Sequence, residues 1–168
     1  MNTFEETFPM RGSVSKILRD RDWNVVEQHI EHNVILNIGK NFILKVLTGE
    51  MAGRFIATME VGTGGVDPAH PFVALEANST NIGLAIPIAG GKGEKSIDSF
   101  TYNGTSPEQS VTFRAVFLSS TVDATVSEVI LKFNSAGSTP AARHTFPSMY
   151  MEDISGYSLE ISWTLTFA

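Results

Sequence analysis

His29 and His32 stand three residues apart, a spacing that on a helix would set two imidazoles on one face, ready for a metal ion. On a strand the same spacing sends them to opposite faces, and the surrounding stretch reads as a strand, so no metal is expected there. Val61-Gly62-Thr63-Gly64-Gly65 offers a second candidate, because closely spaced glycines let backbone amides approach an anion. It lacks the third glycine of a dinucleotide loop and the Gly-Lys-Ser/Thr end of a P-loop, and Asp67-Pro68 follows where a helix should begin. A structural turn is the expectation, with no cofactor. Asp98, Asp123, Glu128, Glu152 and Asp153 show no pairing across a cleft of the kind glycoside hydrolysis uses. None of the serines sits in a Gly-x-Ser-x-Gly elbow. No catalytic, cofactor-binding or metal-binding residue is therefore assigned, and the chain reads as a non-enzyme. Among the aromatics, Trp163 lies in a strict apolar parity and reads as core. Tyr102 and Tyr150 stand beside turn residues and are the better placed to contact a sugar or base. His70 and His144 fall in stretches read as loops.

The elements that must position these groups follow from periodicity. Ser13–Asp20 reads as a first strand, and Arg19-Asp20-Arg21-Asp22 as the polar tip of a hairpin. Across Trp23–Leu36, Val26, Ile30, Val34 and Leu36 share one parity against Glu27, His29 and Glu31, which predicts a half-buried strand with the apolar side inward. The period then changes: Ile38, Phe42, Ile43, Val46 and Leu47 predict a helix over 38–48, with Asn37 as its N-cap and Gly49 as its stop. Phe55, Ala57, Met59 and Val61 predict a strand entering the glycine run. Residues 62–81 form a long connection bearing Pro68 and Pro71, and a strand interrupted by Pro87 is expected over Ile82–Ile88.

In the C-terminal half, Val111, Phe113, Ala115 and Phe117 alternate cleanly. Val126–Phe133 is apolar on both parities, the pattern of a strand covered on both faces. At the end of the chain Leu159, Ile161, Trp163, Leu165 and Phe167 alternate with Ser158, Glu160, Ser162, Thr164 and Thr166 without exception. Short strands, Gly- and Pro-rich turns and one helix predict an all-β antiparallel sandwich with one short helical insertion. It is expected as a single domain over 13–168, preceded by an N-terminal arm at 1–12.

Composition bounds the partners. The chain has 168 residues, of which 42% are hydrophobic and 18% charged, with a net charge of −6 and no cysteine. A disulfide framework, a thiolate metal site and a cysteine nucleophile are excluded. The acidic balance disfavours phosphate-rich nucleic acid and anionic membrane surfaces. The N-terminus carries Glu5 and Glu6 and no apolar run behind a basic start, so no secretory signal is expected. Mostly apolar stretches such as Ile82–Ala89 are far shorter than the roughly 20 residues of a membrane helix.

Three segments carry a resemblance. Asn33-Val34-Ile35-Leu36-Asn37-Ile38-Gly39-Lys40-Asn41 leads into the helix, Met59-Glu60-Val61-Gly62-Thr63-Gly64 forms the turn, and Ile161-Ser162-Trp163-Thr164-Leu165-Thr166-Phe167 ends the chain. Their order, with Leu75-Glu76 after the turn, resembles small tailed-bacteriophage virion proteins described as tail, collar or fibre-associated. By order of features it spans 13–168, while the loop Val66–Phe72 lacks the Thr- and Ala-rich filler of that group. The resemblance implies a structural subunit of a virion, assembled in the host cytoplasm through contacts with other virion proteins, and a homo-oligomer. It supplies no catalytic residue. A capsid cement or decoration protein of the phage head is the alternative within that class. A carbohydrate-binding module recognising a glycan receptor, with Tyr102, Tyr150 or His144 lining a shallow site, is the alternative outside it.

Overall fold

A computed structural model describes residues 10–104, 109–135 and 139–167. Two five-stranded antiparallel sheets pack face to face, as the alternating segments require. The first has the order β2-β1-β12-β9-β8, built from β1 (Met10–Arg19), β2 (Val25–His32), β8 (Ser99–Asn103), β9 (Gln109–Leu118) and β12 (Ser158–Phe167). The second has the order β3-β11-β10-β4-β7, from β3 (Val34–Ile35), β4 (Ile56–Gly62), β7 (Glu94–Ser96), β10 (Ala124–Phe133) and β11 (Pro140–Met151). A small hairpin of β5 (Val66–Asp67) and β6 (His70–Ala74), helix α1 (Asn37–Leu47) and the one-turn α2 (Ser119–Val122) complete the described elements. The all-β sandwich with a short helix is thus the fold. β1 starts at Met10, three residues inside the segment read as an arm, and the rest of that segment lies outside the described residues.

The sheets differ in what covers them. β12 sends Leu159, Ile161 and Trp163 fully into the interior, where they meet Met59, Val61, Val129 and Leu131 of the second sheet. The other face of the first sheet is a Ser/Thr surface, with Thr112 Oγ1 and Thr164 Oγ1 2.8 Å apart across β9 and β12. The outer face of the second sheet is covered instead. Helix α1 lies on it, with Phe42 stacked on Phe133 at 4.2 Å between centroids. Gly39 sits there because a Cβ would collide with the Ala141 carbonyl. The connection 62–88 lies on the same face, which leaves β10 buried on both sides, as its double-parity apolar pattern requires.

Several expectations are corrected. The stretch Trp23–Leu36 is two strands, since the chain leaves the first sheet at Asn33 and enters the second as β3. Its inward face is also inverted: Val26 and Ile30 are 51% and 70% exposed, whereas Glu31 turns inward. Pairing with β1 dictates this, because the register sets His29 opposite the inward Lys16 and so gives the odd-numbered residues of β2 the same face. The N-cap of α1 is Leu36, and Asn37 donates its backbone N–H to Ser79. Residues 82–88 form no regular strand and contribute a single bridge, Gly62 with Pro87. β7, β8 and β11 occupy stretches with no predicted strand, so His144 lies in a central strand and His70 in a surface hairpin.

Candidate functional site

The largest departure from an apolar interior is Lys16, a fully buried cation on the inward face of β1. Its Nζ donates to Glu31 Oε2 at 2.9 Å, lies 3.0 Å from His144 Nε2, and sits 4.5 Å above the centre of the Phe146 ring. Three elements converge: β1 and β2 of one sheet supply Lys16 and Glu31, and β11 of the other supplies His144 and Phe146. Each side chain has a partner chosen by chemistry, since a buried ammonium needs a carboxylate, a lone pair or an aromatic face around it.

Burial drives the proton affinities. His144 is pushed down to about 4, first by burial and then by the Lys16 charge, so its ring is neutral at pH 7. A ring nitrogen also hydrogen-bonds the His32 backbone carbonyl, while Nε2 faces both Lys16 Nζ at 3.0 Å and Glu31 Oε2 at 2.9 Å. Burial also lowers Lys16, with Glu31 opposing the shift. For Glu31, burial works upward, but hydrogen bonding to Lys16, the Lys16 charge and the contact with His144 hold the carboxyl below its usual range.

Beside the cluster, where β3 ends after two residues, a recess of about 340 Å³ opens between His32, Val34, Leu75, Glu76, His144 and Thr145. Only Glu31 of the triad meets solvent appreciably, its side chain being 38% exposed against 0% for Lys16 and 6% for His144. The arrangement therefore holds its amine away from solvent, with Glu31 as its link to the surface.

A second buried ionic group lies on the opposite face of the second sheet. Glu128, fully buried on β10, accepts from the amides of Gly64, Ala85 and Ile86 at 2.9–3.0 Å and from Arg143 Nη2 at 2.6 Å and Nε at 3.1 Å. Arg143 Nη1 continues to Asn81 Oδ1 at 2.7 Å. One carboxylate and one guanidinium thus fasten three points of the connection 62–88 to the sheet. The glycine run serves this contact. A Cβ at Gly65 would strike the Ser127 carbonyl, and the Gly64 and Gly65 amides are spent on Glu128 and Ser127 Oγ.

The other residues singled out from sequence are dispersed. His29 and His32 occupy opposite faces of β2, with His29 Nε2 2.6 Å from Glu27. Asp98 binds Lys95 and the Val116 amide, and Asp123 accepts from the Asp153 amide. Tyr102 and Tyr150 are 65% and 55% exposed but belong to different sheets, and His144 is buried among charged partners. Trp163 is fully buried, and its indole N–H has no partner among the described residues. Sequence reasoning passed over Lys16 and Arg143; a lysine at an apolar-parity position, between Val14 and Leu18, was the available signal. Among the described residues, no three His, Asp or Glu side chains are arranged to hold a metal ion. Comparison with protein-family models, curated proteins and solved structures yields no match.

Proposed function

We propose that the chain is a non-enzymatic structural subunit of a tailed-bacteriophage particle, tail, collar or fibre-associated. It works by protein–protein contact with other virion proteins and with copies of itself. The observation that carries this reading is the distribution of apolar and ionic groups. Both edges of the first sheet and the turn beside them display large apolar side chains: Trp23 at 60% exposure and Ile30 at 70% on one side, Phe100 at 71% and Tyr102 at 65% on the other. The buried ionic groups, in contrast, are spent on internal fastening. A surface of this kind suits assembly, because exposed apolar patches at sheet edges are where chains add to one another. The resemblance of the three segments to small phage virion proteins supplies the particle.

The test is quantitative mass spectrometry of particles purified from cells that carry this reading frame. The expected result is the chain at a fixed multiple of the particle symmetry, and its absence from particles overturns the reading. A copy number matching the head lattice would favour the decoration protein over a tail, collar or fibre subunit. Binding on a glycan array that is lost with Tyr102→Ala would favour the carbohydrate module.

A further inference from the structure

We propose that β8 is a self-pairing edge: Ser99–Asn103 of one copy pairs antiparallel with the same strand of a second copy, about a two-fold axis through Thr101. The inference deepens the assembly reading by naming a surface and its partner.

Four edge strands bound the two sheets, and three are blunted. β3 has two residues, β7 has three and carries Glu94 and Lys95, and β2 carries Glu27, His29 and Glu31. Charge and shortness are the usual means by which edges avoid pairing. β8 has neither protection. Its sequence, Ser-Phe-Thr-Tyr-Asn, contains no charge, proline or glycine, every residue is exposed, and no further strand lies beside it among the described residues. In a chain of net charge −6, it is a neutral strip on which two copies can approach.

The same five residues identify the occupant. Antiparallel pairing centred on Thr101 sets Phe100 opposite the partner copy's Tyr102 twice, threonine opposite threonine, and serine opposite asparagine. Aromatic pairs on one face and hydroxyl pairs on the other are favourable cross-strand combinations. The segment is thus complementary to itself, as a two-fold interface requires. Asp98, just before the strand, would face Gly104, and its charge is already met by Lys95 Nζ at 2.7 Å.

The edge also carries apolar area toward such an interface. Phe100 lines a groove of about 680 Å³ with Phe55, Ile97 and Phe113, open between the edges of the two sheets. Phe55, Phe100 and Tyr102 are 61%, 71% and 65% exposed. At roughly 150–250 Å² per aromatic side chain, these three alone supply about half of the ~600–800 Å² per partner that a stable interface buries. Pairing would join two five-stranded sheets into one continuous ten-stranded sheet.

Sedimentation velocity across 1–200 μM tests this with the full chain. The wild type is expected to dimerise within that range. Thr101→Lys, on the exposed Ser/Thr face, should weaken the dimer at least tenfold with an unchanged circular dichroism spectrum, because two ammonium groups would meet at the axis. An equimolar mixture of Thr101→Lys and Thr101→Glu should restore it. Thr101→Cys, in a chain without other cysteines, should give a covalent dimer on mild oxidation. A wild type that stays monomeric throughout overturns the proposal, as does a dimer indifferent to Thr101→Lys. So does a monomer in which oligosaccharides perturb Phe100 and Tyr102. Particles that incorporate Thr101→Lys normally, from a chain that never cross-links at position 101, refute the pairing and leave the assembly reading standing. A solution dimer of a chain absent from particles supports the pairing and refutes that reading.

Discussion

Two of the buried ionic groups, those of Lys16 and Glu128, lie against opposite faces of the second sheet and differ in how fully they are satisfied. Glu128 receives five hydrogen bonds, three from backbone amides and two from a guanidinium. Lys16 has one carboxylate, one imidazole nitrogen shared with that carboxylate, and the face of Phe146. A saturated carboxylate acts as a fixed staple. The sparsely satisfied ammonium depends on the protonation of its neighbours, because the imidazole accepts from it only while neutral. Burial of charge is therefore no single category in this fold: one group secures a long connection, and the other is expected to respond to pH.

The sharpest way to break this comparison is Glu128→Gln. It leaves Arg143 buried without its counter-charge and turns an amide donor toward backbone N–H groups, so a loss of about 3–5 kcal/mol is expected in urea titration. Faster proteolysis within 76–88 should accompany it. A normal stability with an intact connection would show that Glu128 is no staple.

Acid should act on the other group. The folded value of His144, about 4, lies below the ordinary 6.5, so the unfolded chain takes up the proton first. Stability fully present above pH 6.5 is then lost as pH falls toward 4. Lys16 and Glu31 of the facing sheet, together with Glu27 beyond them, are the charges that act here. Glu31, held below its usual range, adds a loss of the same sign under more acid conditions. The expected swing is on the order of 2–3 kcal/mol, read as the urea midpoint between pH 7 and pH 4. His144→Gln should flatten it, and a slope that survives the substitution would assign the effect elsewhere.

Glu31→Gln should cost about 1–3 kcal/mol, less than Glu128→Gln, because Glu31 is partly solvated and Lys16 can release its proton. The smallest effect is expected from Lys16→Met. Replacing a buried cation by an apolar chain of similar length changes stability by about 1 kcal/mol or less, as thermal and urea midpoints would show. A loss comparable to that of Glu128→Gln would mean that the lysine, too, is a staple.

The sequence disclosed the strands whose periodicity is set by one solvated face or by two apolar ones. β9, β10 and β12 were legible for that reason, as was α1, whose spacing is helical whatever lies beneath it. β11 was not. Its run Ala-Ala-Arg-His-Thr-Phe-Pro mixes charge with proline, and those polar side chains are satisfied by partners on other elements, among them Glu128, Asn81, Lys16 and Leu75. β2 was legible as a strand but not in its orientation, since its face is set by its register with β1, which turns Glu31 inward and leaves Val26 and Ile30 exposed. The candidate site was illegible for the same reason: each of its members is ordinary alone, and only the topology brings positions 16, 31 and 144 together.

That topology also sets a timetable for synthesis. β1 pairs along its whole length with β12, from Met10 opposite Phe167 to Arg19 opposite Ser158. The two described strands that lie farthest apart in sequence are therefore neighbours, and β12 is the central strand of its sheet. While the chain is being translated, the hairpins β1–β2 and β8–β9 have no strand to join them. The first sheet can close only after β12 has emerged, a long-range closure of the kind that slows folding. Until β12 arrives, the β8–β9 hairpin has no sheet behind it, so the self-pairing proposed for β8 awaits closure of that sheet.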